Sequence, residues 1–402
     1  MMNGRMIARG GTPKARESFD QIKGDRAMNV DVLNRSGVQP ASTSKLAIAD
    51  CDIHPRPAGV GIGGVSKSLY PYLTKRWVDH VEEFGIQYRQ PWEKGSAYPK
   101  GQPQACRRDA FLPDGRSPGS DLAFMAHQHL DPNNVALGIL NPLTSGQGAT
   151  NPLLSAAITH ATNEWQKAEW TSQDNRLRGS VVVPYEDAAA SVQEIELRAG
   201  DADFAQVLLL SRTAEPLGQR RYWPIYEAAA AADLAVGIHA FGNGGWPNTA
   251  GGWGSYYIEE MVGHAQAQQA LLVSMILEGV FEHLPNLRVV LVEGGLAWAA
   301  ALGWRMDRQW AKLKRELPHL KRAPSEYIRS NVWFTTQPVE EPEPRSQLAE
   351  ALEWIGWDRI LFATDYPHWD FDDPAQALPI KLTEAQRQAV FRDNARTVYR
   401  QA

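Results

Sequence analysis

The sequence predicts a (β/α)₈ TIM-like barrel, the α/β fold in which eight parallel strands alternate with helices. Three observations lead to this prediction. Eight short apolar runs recur along the 402 residues, nearly every run is followed by a helical pattern, and several runs end in acidic or imidazole side chains. Short, continuously apolar strands that alternate with helices indicate a parallel sheet whose outer face is covered. A doubly wound open sheet is the alternative, but no glycine-rich phosphate loop follows the first run.

The predicted elements follow one another in a regular order. The eight strands span residues 46–52, 135–140, 179–183, 205–210, 234–239, 288–293, 331–336 and 359–365. Helical patterns cover residues 152–173, 186–199, 222–233, 258–282, 297–315, 345–355 and 384–398.

Two segments fall outside this alternation. Residues 1–45 are rich in Gly, Ser, Asn and basic side chains without a sustained period, so they are predicted to be a flexible N-terminal arm. Residues 46–402 form the predicted barrel domain. Within it, residues 55–120 are rich in Pro, Gly and aromatic side chains. A connection of that length inside a compact domain is usually functional, and we expect a lid-like insertion after strand one.

Composition argues against several classes of partner. The chain is 43% hydrophobic and 22% charged, with a net charge of −5, which argues against nucleic acid or an anionic membrane surface. No apolar run approaches the ~20 residues that a membrane span requires. The two cysteines, Cys51 and Cys106, are too few for a disulfide framework. We therefore expect a cytoplasmic protein that acts on a small molecule, and the 14 tryptophans favour an aromatic or apolar one.

A polar pair ends the first predicted strand. Asp52 and His54 stand two residues apart, so on an extended backbone their side chains point the same way. A carboxylate and an imidazole that share one face can bind a divalent metal. A lone Asp-x-His is more often a helix N-cap or a satisfied turn, so the metal hypothesis depends on the other strand ends.

Three further strands end in residues that can bind metal. His239 ends strand five, Glu293 ends strand six, and Asp365 ends strand eight with His368 three residues later. Each residue alone has an ordinary structural explanation, but in a closed barrel these ends meet at one mouth. Several buried carboxylates together require a cation. Oxygen and imidazole ligands without thiolate suit Zn²⁺, Mn²⁺ or Fe²⁺. We expect one divalent ion, with Zn²⁺ as the first candidate and Mn²⁺ as the alternative.

Seven short motifs carry a resemblance to a known family. They are DCDIH at 50–54, IH at 238–239, LEGVFEHLPNL at 277–287, EGGLAW at 293–298, RMD at 305–307, FATDYPH at 362–368 and Asp393-Asn394-Ala395. From about residue 46 to 400 the chain resembles the amidohydrolase superfamily. Within it, the chain is similar to the amidohydrolase 2 branch, which contains aminocarboxymuconate-semialdehyde decarboxylase and the γ-resorcylate-type decarboxylases.

The resemblance implies a ligand set and shows two departures from the family pattern. It assigns the metal ligands to Asp52, His54, His239 and Asp365. Many members have His-x-His on strand one, whereas this chain has Asp-x-His, similar to the Glu-x-His variants. The well-studied decarboxylases have a proton-handling histidine on strand six, where this chain has Glu293.

The second departure favours hydrolysis over decarboxylation as the predicted activity. In the hydrolytic interpretation a metal-activated water attacks a small, aromatic or cyclic carboxylate, lactone or amide. Asp365 moves the proton, while Glu293 holds the substrate or a water. The alternative is non-oxidative decarboxylation of an aromatic or unsaturated acid, with Asp365 or Glu293 as proton donor. A third hypothesis, a binding protein that has lost its chemistry, is disfavoured because every ligand type is present.

Several side chains are candidate substrate contacts. Arg56 and His368 are predicted to hold a substrate carboxylate or an oxyanion. Trp246, in a glycine-rich loop after strand five, is predicted to form part of an aromatic wall, and Trp77 and Trp92 are further candidates. A homodimer is expected from the family resemblance alone, since no residue locates an interface.

Overall fold

The computed structural model describes residues 45–59, 64–87, 101–143, 145–240, 246, 247, 249 and 251–401. Its centre is one eight-stranded parallel sheet whose strands lie in chain order. The strands are β1 (Ile48–Ile53), β2 (Val135–Leu140), β3 (Leu177–Val182), β4 (Phe204–Leu210), β5 (Ala235–His239), β6 (Val289–Val292), β7 (Val332–Thr335) and β8 (Ile360–Leu361).

The sheet closes on itself between its first and last strands. The backbone N–H of Cys51 donates to the carbonyl of Phe362 at 3.0 Å, and the N–H of His54 donates to the carbonyl of Tyr366 at 2.8 Å. The N–H of Asp365 donates to the carbonyl of Asp52 at 3.1 Å. The predicted (β/α)₈ barrel is therefore confirmed, and closure brings the ends of β1 and β8 side by side.

The described residues form α-helices in the segments between and after the strands. They are α1 (Lys75–Phe84), α2 (Leu122–Met125), α3 (Pro152–Gln166), α4 (Ala188–Arg198), α5 (Trp223–Ala231), α6 (Tyr257–Leu277), α7 (Val280–His283), α8 (Trp298–Leu313), α9 (Pro324–Asn331), α10 (Ser346–Ile355), α11 (Glu384–Gln388) and α12 (Asn394–Val398). In the described part of the chain, none of these helices has the length and apolar character of a membrane span.

Burial explains why the strands are so uniformly apolar. Every residue of β1, β4, β5, β6, β7 and β8 is buried, because each strand has the barrel interior on one side and the helices on the other. An inner cluster that includes Cys51, Ile139, Val292 and Trp333 also contains Tyr399 from the C-terminal end of the chain. Cys51 is thus a packing residue, and neither it nor Cys106 forms a disulfide.

The structure differs from the sequence prediction at the last strand and in several helices. β8 is only two residues long, so Asp365 lies four residues beyond it rather than within it. Helices α1, α2 and α9 have no counterpart in the sequence prediction. The final predicted helix at 384–398 is two short helices joined by a π-helical turn, Ala389–Asp393. The predicted arm at 1–45 lies, except for Lys45, outside the described residues.

The segment predicted to be a lid contains little regular structure. Its described part holds α1 and a few 3-10 turns, of which Lys67–Tyr72 packs against α3. Gly119 has a φ of +73°, and a Cβ there would lie 2.4 Å from the backbone oxygen of His54. Glycine therefore lets this segment approach the end of β1 closely. That the segment opens and closes as a lid stays a prediction.

Candidate metal centre

The structure brings the four predicted ligands together at the mouth of the barrel. Asp52 is in β1, His54 directly follows that strand, His239 ends β5, and Asp365 follows β8. His54 Nε2 is 3.1 Å from Asp52 Oδ1 and 2.7 Å from Asp365 Oδ1. His239 Nε2 is 3.4 Å from Asp52 Oδ2. All four side chains are at least 95% buried.

Three buried atoms of this cluster, Asp52 Oδ2, His54 Nε2 and His239 Nε2, make no hydrogen bond of suitable geometry among the described residues. Their close polar contacts are with ionisable groups of the same cluster. Buried polar atoms without well-formed hydrogen bonds are costly. Here the atoms come from Asp52, His54 and His239, whose ligand atoms lie within 4.8 Å of one another. Two imidazole nitrogens and carboxylate oxygens around a common point match the donors that divalent metals take in proteins, so the residues fit a divalent metal.

Hydrogen bonds to the rear of each histidine fix its orientation. His54 Nδ1 donates to the carbonyl of Asn141 at 2.7 Å, and His239 Nδ1 donates to the carbonyl of Ala240. Each bond leaves Nε2 facing the cluster, and histidines that bind metals are commonly oriented by such a hydrogen bond from the other ring nitrogen. Asn141 also donates from Nδ2 to Asp52 Oδ1 at 2.9 Å. Asn141 therefore positions two of the four predicted ligands.

The electrostatics of the cluster favour a cation. Burial would raise the pKa of Asp52, but His54 and His239 hold that pKa well below its usual value. Burial also opposes a charge on His54, yet Asp52 and Asp365 raise the pKa of its imidazole well above the usual value. Burial likewise opposes ionisation of Asp365, and His368 and His54 lower its pKa. The two aspartates are therefore ionised, and a proton and a metal ion would compete for the position between them.

Glu293 and His368 lie beside the predicted ligands. Glu293 Oε2 is 3.2 Å from His239 Nε2, and burial, followed by the charge of Asp365, raises the pKa of Glu293 well above its usual value. His368 Nδ1 is 2.6 Å from Asp365 Oδ1, and its ring stacks on His54 with centroids 4.4 Å apart. Glu293 and Asp365 have φ angles of +58° and +63°, which few residues other than glycine adopt. Strain of this kind is concentrated at functional sites.

A cavity of about 690 Å³ opens onto this cluster. His54, Glu293 and His368 line it, and so does Arg56, whose guanidinium donates to Gln104 Oε1. Arg56 is thus within the site where the sequence predicts it. Trp246 is not among the described residues that line the cavity, and its role as a substrate contact stays a prediction.

Of the other two tryptophan candidates, only Trp77 is among the described residues. Trp77 is half-buried in α1 and packs against the hydrophobic core, and it is absent from the described cavity lining. Trp92, like the loop at 242–245 that precedes Trp246, lies outside the described residues.

Some residues of the site were not singled out from the sequence. Glu260 and His264 of α6 line the cavity, as does Asp370. Burial lowers the pKa of His264 to about 3, and burial together with Asp365 raises that of Asp370 to about 8. The sequence feature that could have pointed to Asp370 as a site residue is its position two residues after His368. The α6 residues have no such feature, because a polar residue near a helix N-terminus is ordinarily solvated.

A second buried hydrogen-bond network, centred on Asp50, connects the ends of β1 and β8. Asp50 is fully buried and accepts from the Thr364 hydroxyl at 2.5 Å, the Thr364 N–H at 2.9 Å and the Asp52 N–H at 3.2 Å. His129 Nε2 donates to Asp50 Oδ2 at 2.8 Å, the same oxygen that accepts from the Thr364 hydroxyl. Thr364 directly precedes the predicted ligand Asp365, and Asp52 is itself a predicted ligand. Asp50 therefore fixes the β1 and β8 ends relative to each other.

Comparisons with known proteins bear on the family and the fold. The family model described as Amidohydrolase (Amidohydro_2) matches residues 49–401. The γ-resorcylate decarboxylase of Polaromonas sp. strain JS666 is 25% identical over 250 residues, covering 59% of this chain and 74% of that protein. A crystal structure of 2,6-dihydroxybenzoate decarboxylase with 2,6-dihydroxybenzoate superposes with a TM-score of 0.62 at 18% identity, covering 88% of this chain and 98% of the other.

A third relative was solved with a metal. The manganese-bound 5-carboxyvanillate decarboxylase of Novosphingobium aromaticivorans, a D-to-N mutant with a nitrobenzoic acid ligand, superposes with a TM-score of 0.64 at 16% identity. It covers 90% of this chain and 100% of that one. These likenesses confirm the resemblance and the barrel. They also overturn the prediction of a hydrolase, because the relatives are decarboxylases. The glutamate in place of a strand-six histidine was given too much weight, since a buried carboxylic acid is also able to donate a proton.

Proposed function

This chain belongs to the amidohydrolase family, and on that premise we propose that it is a metal-dependent, non-oxidative decarboxylase of an aromatic or unsaturated carboxylic acid. The observation that carries the proposal is the convergence of Asp52, His54 and His239, with Asp365 beside His54. Their convergence beside a cavity large enough for an aromatic acid supports a reaction at the metal. The decarboxylase relatives support the reaction type.

Asp52, His54, His239 and Asp365 hold the metal in this proposal. When bound, the divalent ion would supply a positive charge that attracts the substrate carboxylate and a neighbouring hydroxyl or keto oxygen. Two carboxylates and two imidazoles suit both Zn²⁺ and Mn²⁺. The manganese in a related structure makes Mn²⁺ as strong a candidate as the Zn²⁺ favoured by the sequence.

Glu293 is the proposed proton donor. Its carboxyl lines the cavity next to His239, and its raised pKa favours the neutral acid that donation requires. The bond between the ring carbon and the carboxylate breaks and releases CO₂. The electron pair left on that carbon takes the proton of Glu293, and solvent later restores that proton. Asp365, whose pKa is lowered, serves as an ionised ligand in this scheme.

Side chains of the cavity wall orient the substrate. Arg56 offers a guanidinium that can pair with a second acidic or phenolic oxygen. His368, stacked on His54 and hydrogen-bonded to Asp365, restricts the ring plane of the substrate. Trp246 would add an aromatic surface beyond the described wall.

Release of CO₂ tests the proposal directly. Protein loaded with Mn²⁺ or with Zn²⁺ is incubated in D₂O with 2,6-dihydroxybenzoate and with 5-carboxyvanillate. We expect one CO₂ for each phenol formed, with deuterium on the ring carbon that carried the carboxylate. The same protein treated with a chelator is the control and should form neither product. Fully metal-loaded protein that releases no CO₂ from any aromatic or unsaturated acid of a broad panel would overturn the proposal.

Location and assembly remain further proposals. A cytoplasmic location is supported by the two cysteines, which are buried and free of disulfide bonds. The homodimer expected from the resemblance stays a prediction.

A further inference from the structure

The cavity above the metal centre is larger than a single aromatic ring needs. A cavity of ~150 Å³ is enough to bind benzene, whereas this one has a volume of about 690 Å³. That volume falls in the range that larger organic ligands occupy. An acid of one ring with small substituents would leave most of the space to water.

The lining of the cavity changes in character from one side of the barrel to the other. Residues after β6 and β8 and in α6 are predominantly polar, and they include Glu293, Asp370, Glu260 and His264. Residues from the segments after β1 and β2 and from α3 are predominantly apolar. We call this second set the apolar arm; its members are Val65, Leu69, Ile86, Leu143 and Ile158.

The apolar arm is built into the fold. Val65, Leu69 and Ile158 belong to the main hydrophobic core and are at most 4% exposed, while Ile86 and Leu143 are half-buried. The 3-10 turn that carries Leu69 packs against α3, the helix that carries Ile158. Because these side chains are held in the core, the wall keeps its shape when a ligand enters. Binding therefore costs little conformational entropy of the protein.

A glycine keeps part of this wall open. Gly146 lines the cavity with a φ of +78°, and a Cβ at that position would lie 2.7 Å from Ile158 Cγ2. Any other residue would be strained there and would push into the Ile158 side chain. The backbone at Gly146 therefore approaches Ile158 more closely than a residue with a Cβ could, and it contributes no side chain to the cavity wall.

We propose that the substrate carries an apolar substituent, an alkyl chain or a second ring, which binds in the apolar arm while its carboxylate lies at the metal centre. This inference rests on the proposed decarboxylase function and adds a substrate class to it. Because Val65, Leu69 and Ile158 are almost fully buried, the gain on binding comes mainly from the apolar surface of the substituent itself, which leaves water, and from the half-buried Ile86 and Leu143. An acid without such a substituent does not make this gain.

The test is a homologous series of 2-hydroxybenzoates with 6-alkyl chains of zero, one, three, five and seven carbons. We measure kcat/KM for CO₂ release on the metal-loaded protein, and Kd for each acid by titration calorimetry. The expected gain is about fourfold per buried methylene, which corresponds to ~0.8 kcal/mol, until the arm is filled. A series that is flat in both quantities would overturn the inference.

Substitutions in the apolar arm test whether the gain per methylene arises there. Leu143→Glu puts a charge into the arm and should remove the dependence of Kd and kcat/KM on chain length. Leu153→Glu is the matched control, because Leu153 is 62% exposed at the start of α3, and it should leave the dependence intact. Ile86→Ala, at a half-buried position, should weaken the dependence without unfolding the protein. Chain-length dependence that survives both arm variants would refute the assignment of these residues.

Failure of the inference and failure of the proposed function give different results. If short acids release CO₂ and the series is flat, the decarboxylase stands and the apolar arm does not bind substrate. If no acid releases CO₂ but Kd still falls fourfold per methylene, the arm binds apolar groups and the proposed reaction is wrong.

Discussion

Replacement of Asp365 by asparagine is expected to lower kcat/KM for decarboxylation by about 10³-fold or more while the barrel stays folded. Asp365 is fully buried, is 2.7 Å from His54 Nε2, and accepts from His368 and Gln337. Asparagine keeps the shape but loses the charge that a metal ligand supplies. The loss should appear in both metal content and kcat, and catalysis by charge at such a site accounts for several kcal/mol.

The control for Asp365→Asn is Asp358→Asn, the same change at a side chain that is 71% exposed. Asp358→Asn should retain activity within about twofold, and the metal-free forms of both variants should unfold within a few degrees of the metal-free parent. An Asp365→Asn protein that keeps more than a tenth of the parental kcat/KM would exclude an essential role for this carboxylate.

Glu293→Gln is expected to lower kcat by roughly 10²- to 10⁴-fold, the range that a positioned general acid contributes. Glutamine keeps the size of the side chain and its place beside His239 and the cavity. Its amide, however, is far too weak an acid to protonate a ring carbon. Because Glu293 is not one of the four proposed ligands, metal content should be unchanged, and KM should move less than kcat.

The matched control is Glu196→Gln on the exposed face of α4, which should behave like the parent protein. Glu293→Gln with parental kcat would leave the proton donor to another group. Loss of metal together with activity would instead make Glu293 a ligand, which its 3.2 Å distance from His239 permits.

The order and number of the strands could be predicted because each is a short apolar run buried on both sides. The boundary of β8 was the least accurate, because the strand ends at Leu361 and the chain leaves β geometry before Asp365, which has a positive φ. Positive φ in a residue other than glycine leaves only a weak signal in the sequence. Of the helices that were not predicted, α2 has four residues and α9 has eight, too few for a clear period, and α1 lies within the Pro- and Gly-rich segment 55–120.

The convergence of Asp52, His54, His239 and Asp365 could be predicted because these residues stand at or just after strand ends, and parallel strands bring those ends to one place. That they bind a metal stays a prediction. The residues that position them could not be found in this way. Asn141 acts through its carbonyl and amide on His54 and Asp52, and Asp50 acts through Thr364 on the far side of the barrel closure. These contacts depend on register between strands that are far apart in sequence. The reaction type was predicted wrongly because one residue, Glu293, was weighed against the whole family pattern.

The metal content of the purified protein tests the central claim most directly. After loading with Zn²⁺ or Mn²⁺ and extensive dialysis, elemental analysis should find about one ion per chain in the parent protein. His283→Ala, an exposed histidine on α7, should retain the same amount, while His239→Ala should retain less than about a tenth of it. A parent protein that holds no ion under either condition, or a His239→Ala protein with full occupancy, would contradict a metal centre formed by the ends of β1, β5 and β8.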